Sequence, residues 1–156
     1  MRSRTAEWFI CKIIYEKVME DGLQKKVTES YVVDAVSFTE AEARITQEMS
    51  AYISGEFTVQ EIDRCQFKEI FFDDKDSSDK WYKAKVQFIT IDEKTEKEKK
   101  TAVYYLVQAS SVECANKNID EVMGGTMIDY VISGVNETKI EDVFEYKLEP
   151  ETYETK

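Results

Sequence analysis

The chain has 156 residues, of which 42% are hydrophobic and 34% charged, a single-domain length with a globular composition. Its 21 Lys and Arg face 32 Asp and Glu, a formal net charge of -11, and it contains no histidine. Histidine-based catalysis, histidine-ligated metals and imidazole pH switches are therefore excluded.

Met1-Arg2-Ser3-Arg4 is basic, but no apolar core of signal-peptide length follows it. No run approaches the roughly 18 apolar residues of a membrane span. A soluble, cytoplasmic protein is expected, with no membrane contact. Cys11, Cys65 and Cys114 form no C-x-x-C pair, so three reduced, packed thiols are expected rather than disulfides or zinc.

The first predicted strand holds Trp8, Phe9, Ile10, Cys11, Lys12, Ile13, Ile14 and Tyr15. Its alternation buries Phe9, Cys11, Ile13 and Tyr15 on one face. A hairpin turn falls near Glu20-Asp21-Gly22 and leads into a second strand. Ser37-Phe38-Thr39-Glu40 has the S-x-x-E form of a capping box. Ala41, Ile45, Met49 and Tyr52 then recur at helical spacing, and Gly55 is a natural stop. Phe57, Val59, Ile62, Ile70 and Phe71 belong to the next strand segment, before the acidic stretch 73–79.

The same text then recurs. Trp81-Tyr82-Lys83-Ala84-Lys85-Val86-Gln87-Phe88 echoes Trp8–Tyr15 at an offset of 73 residues in the numbering. Its hairpin turns in Asp92–Lys97, and Tyr105–Ser111 echoes Tyr31–Ser37. Ser110-Ser111-Val112-Glu113 repeats the S-x-x-E form, followed by a stripe of Val112, Ala115, Ile119 and Met123 that ends at Gly124-Gly125. Tyr130, Ile132, Val135, Val143 and Phe144 close the second copy. The predicted fold is α+β, a tandem duplication of a strand–strand–helix–strand unit. Antiparallel sheets, one helix per copy and pseudo-twofold symmetry are expected. Residues 1–72 form the first ββαβ repeat, 73–79 an acidic joint, 80–146 the second repeat and 147–156 a polar tail holding Pro150, all in one globular unit. These segments carry -4, -3, -3 and -1. No segment is a basic stripe, so duplex nucleic acid is a poor partner.

No catalytic constellation stands out. Asp74, Asp76 and Ser78 alternate like the start of a calcium loop, but Asp79 and Lys85 stand where glycine and glutamate are needed. No metal and no cofactor is expected, and no enzyme. Gly124-Gly125 ends a helix, whereas phosphate loops precede one. Cys114 lies in a first helical turn without a partner base. There remain Trp8, Lys12, Trp81 and Lys85, four candidate ligand-binding residues on the sheet face opposite the helices. On an open sheet they would stack a planar ligand and hold an anion. Alternatively, the two tryptophans pack at the joint and each lysine pairs with a neighbouring acid such as Asp34.

The Trp8-Phe9-Ile10-Cys11-Lys12-Ile13 opening, its echo from Trp81, and Glu69-Ile70-Phe71 resemble a family of small uncharacterised proteins of Bacteroidetes and their phages and mobile elements. The resemblance implies an origin of that kind and no activity. The leading expectation is a protein-interaction module, monomeric or homodimeric. The alternatives are a small-ligand or single-stranded nucleic-acid binder using the Trp/Lys face, and an acidic inhibitor that mimics nucleic acid.

Overall fold

A computed structural model describes residues 1–146; the predicted polar tail lies outside the described residues. These form nine strands and two helices: β1 (Arg2–Arg4), β2 (Trp8–Val18), β3 (Gln24–Asp34), α1 (Phe38–Tyr52), β4 (Phe57–Arg64), β5 (Glu69–Phe72), β6 (Lys80–Ile91), β7 (Glu98–Ala109), α2 (Val112–Met123), β8 (Asp129–Glu137) and β9 (Ile140–Phe144). The α+β class is as predicted. The first sheet runs β4-β2-β3-β9 and the second β1-β5-β7-β6-β8.

Alternation sorts the side chains into three cores. Phe9, Cys11, Ile13 and Val33 pack against Ala41, Ile45 and Met49 of α1. Tyr82, Ala84, Val86, Tyr105 and Val107 pack against Ala115, Ile119 and Met123 of α2. Between the sheets lie Trp8, Val32, Ile140 and Val143 from the first, with Ile70, Phe72, Trp81 and Leu106 from the second. The layers are therefore helix, sheet, sheet, helix.

Both sheets are mixed, which corrects the expectation of antiparallel sheets. Each half continues past its third strand into a short fourth strand that leaves its own sheet. β5 pairs in parallel with β7, and β9 in parallel with β3. The expected ββαβ unit is thus ββαββ, with the last strand of each half completing the other half's sheet. Parallel pairing follows because the chain crosses between layers instead of turning back in a hairpin. β1 then pairs antiparallel with the far side of β5.

The two halves share fine detail. Bulges interrupt β2–β4 pairing at Lys12/Ile13 and β6–β8 pairing at Lys85/Val86. The Cys65 amide donates to the Trp8 carbonyl, and the Thr138 amide to the Trp81 carbonyl, at 2.8 and 2.9 Å. Ser37 and Ser111 cap the helices, accepting from the Glu40 and Cys114 amides. The second cap is Ser111, one residue after the start of the predicted box, so Glu113 cannot serve as its reciprocal partner. Two stripe residues also differ from expectation: Tyr52 and Val112 face outward at the helix ends.

Candidate functional site

Trp8 and Trp81 are 2% and 3% exposed, too little for either to stack a ligand. Phe72 stands between them, its ring centroid 6.4 Å from Trp8 and 5.7 Å from Trp81. This corrects the predicted four-residue site: the two tryptophans meet in the joint between sheets, while the lysines stand on different sheets. A groove of about 470 Å³ passes Trp81 beside Lys80, Glu137 and Lys139, but the ring itself belongs to the core. Lys12 pairs with Glu61 at 3.1 Å, not with Asp34.

Asp34 is instead the buried centre of a network that the sequence reading did not single out. It pairs with Arg4 at 2.5 Å and Arg44 at 3.5 Å, and accepts the Tyr146 amide at 2.9 Å. Arg44 also donates to the Asp34 carbonyl, and the Tyr146 hydroxyl donates to Glu48. Arg2 and Arg4 reach Glu145 at 2.8 and 3.2 Å. Positive and negative groups alternate here, so the network clasps β1, β3, α1 and the chain after β9 rather than presenting a charge. Arg2 and Arg4 alternating in an N-terminal segment were the available signal. The second half has a neutral version: the Asn118 amide donates to the Gln108 carbonyl, and Gln108 Oε1 accepts the Asp73 and Asp74 amides.

The faces of the two sheets diverge beyond the joint. Trp81, Lys83 and Lys85 share one face of β6, where Trp81 is covered, Lys83 exposed and Lys85 half-buried. Lys83 is exposed, with its ammonium 4.8 Å from the Tyr104 ring centroid. Lys85 lies opposite Tyr104 on one side and Gly134 on the other. The Lys68 amide bonds the Tyr104 carbonyl, placing an exposed lysine on the far side of that tyrosine. Among the described residues, Lys68, Lys83 and Lys85 make no ion pair. In the first sheet the matching positions are Ser30, Lys12 and Glu61, where the acid neutralises the lysine.

The outer strands differ in the same sense. β4 and β8 end their sheets. β4 carries Glu61, Asp63 and Arg64. In β8 the run Tyr130-Val131-Ile132-Ser133-Gly134-Val135-Asn136 has no charge, and Asp129 and Glu137 stand at its ends. Met127, Ile128 and Val131 beside this edge are 98%, 47% and 46% exposed.

An α+β molecule of two helix-backed mixed sheets, one with an uncharged free edge, defines an architecture and not a reaction. The chain belongs to the family described as a domain of unknown function, DUF4494, which matches residues 7–146. No curated protein and no solved structure matches it. No helix among the described residues is long and apolar enough to cross a membrane.

Proposed function

We propose that the protein is a non-enzymatic interaction module that binds an extended protein segment along the outer edge of β8. The edge of β8 is the observation that carries this reading. An outermost strand presents unmatched backbone donors and acceptors, and proteins usually blunt such edges with charge. Both outer strands carry a bulge, another such device, but β4 adds charged side chains and β8 does not. An added strand would gain main-chain hydrogen bonds and cover Met127, Ile128 and Val131.

The chemistry of the ends selects the partner. Two β8 strands paired antiparallel about Ser133 would set Asp129 against Glu137, and like charges directly opposite destabilise a sheet. A chain of net charge -11 adds to that repulsion. The fitting occupant is a different chain, apolar in its middle and basic at its ends. We read the two halves as copies of one ancestral unit with a pseudo-twofold relation, supported by the matched bulges, caps and Trp carbonyl contacts. On that reading the edges began alike and have since diverged in charge. The nucleic-acid-mimic reading has less support, because Asp34, Glu61, Glu29, Glu40, Asp74 and Glu145 are engaged in ion pairs.

The test is capture from a lysate of the encoding organism, with sequencing of the bound protein. The wild type should retain a stoichiometric partner, and a Met127→Asp/Val131→Lys variant should hold it at least about tenfold more weakly, about 1.4 kcal/mol. A Gln60→Lys change on β4 should leave it bound. Equal retention by the β8 variant, or no partner at all, would contradict the proposal.

A further inference from the structure

We propose that the open face of the second sheet, around Tyr104, binds single-stranded nucleic acid. This site borders β8 at Gly134 but does not rest on strand addition at its outer edge. Its elements are a cation-rich row of Lys68, just before β5, Tyr104 on β7 and Lys85 on β6, with Gly134 of β8 next and Lys83 over the Tyr104 ring. In a chain of net charge -11, the Tyr104 face of β6 and β7 carries Lys83, Lys85 and Lys100 against one glutamate, Glu98. Charge complementarity therefore names an anionic occupant for this face.

Geometry narrows the anion. Lys83 and Lys85 stand two residues apart on one strand, about 6.6 Å at a rise of about 3.3 Å per residue, a separation that suits successive phosphates of an extended strand. The half-buried Tyr104 ring lies among the ammonium groups with Lys83 over it, and an unpaired base can stack there when the flexible lysine turns to a phosphate. A duplex hides its bases and gains nothing from that ring. Gly134 leaves open space beside Lys85, since a side chain built there would touch nothing within 4 Å. The first sheet shows how such a face is closed. Where the second has Gly134 beside Lys85, the first has Glu61 bonded to Lys12 at 3.1 Å. The structure thus holds one neutralised face and one that keeps its cations.

The experiment is fluorescence anisotropy of the intact protein with a labelled oligothymidylate of about 15 nucleotides, within the usual site sizes. Binding should appear at about 50 mM salt and weaken about 20- to 50-fold by about 200 mM, as expected for three to four phosphates at a slope of about -0.7 each. Lys83→Glu/Lys85→Glu should abolish it, and Tyr104→Ala should weaken it about tenfold through lost stacking. Gly134→Glu should also weaken it while leaving every lysine in place, because the new carboxylate stands where Glu61 stands in the first sheet. Thermal melting of each variant establishes that it is folded. The proposal is overturned if the wild type does not bind at low salt, or if the folded charge-reversed variant binds as well. Equal affinity for a duplex or for inorganic polyphosphate would overturn it too, by showing a general polyanion surface.

Discussion

At the residue scale, environment separates side chains of one type. Burial pushes the Cys11 thiol up to about 12, and burial with the nearby Cys11 and Asp63 does the same for Cys65. Cys114 is lowered, chiefly by a hydrogen bond with the Ser110 backbone. Iodoacetamide at pH 8 should therefore modify Cys114 first in the native protein, and mass spectrometry of the peptides reads the order. Modification of Cys11 at the same rate would contradict the burial described here. The same groups set a pH dependence. Above about pH 8.5 the unfolded thiols ionise, while folded Cys11 and Cys65 keep their protons. The folded state then binds more protons than the unfolded one, so stability falls as pH rises. Tyr15, Tyr31 and Tyr146, raised first by burial and then by hydrogen bonds to Glu29 or Glu48, extend the fall above about pH 10. With no histidine to titrate, melting temperature should be nearly flat from about pH 6 to 8 and decline above about 8.5. A minimum near neutrality would contradict this. Trp8 and Trp81 show what residue type alone leaves open. Their face was legible from alternation, but whether that face meets water or another sheet depends on packing between distant segments.

At the element scale, strands, hairpins and helices were legible because each has a local cause. Gly22 has a φ of +83° in the first turn, a conformation that glycine adopts without strain. Asp92 Oδ1 accepts the Lys94 amide in the second turn. Ser37→Ala and Ser111→Ala should each lower stability by about 1 kcal/mol, measurable by urea unfolding, since each removes the acceptor for a helix amide. The exchange of β5 and β9 between sheets was not legible. Apolar periodicity specifies a buried face but not the strand lying beside it. Both exchanged strands are short, with four and five residues, and each follows a break in what the sequence presents as one apolar segment. Ile70 is fully buried at that crossing. Ile70→Ala should cost about 2–5 kcal/mol, the cost of a core cavity, despite the shortness of β5. A loss below about 1 kcal/mol would show that the crossing is not part of the stable core.

At the scale of the whole molecule, the exchanged strands and the shared tryptophan core make each half depend on the other. A single cooperative unfolding transition is expected, and two separate transitions would contradict the layered arrangement. The overall charge was legible as a number, but its placement was not. Both halves are acidic in sequence, yet alternation puts lysines on the open face of the second sheet and leaves β8 uncharged. Glu61 and Gly134 carry that difference, and it becomes visible only once strand register sets them beside Lys12 and Lys85. The central claim is that β8 accepts a partner strand, and amide hydrogen exchange of the protein with its captured partner tests it most directly. Tyr130–Asn136 should gain protection on binding while Phe57–Arg64 of β4 exchanges as before; protection confined to another surface, or none at β8, would contradict the account.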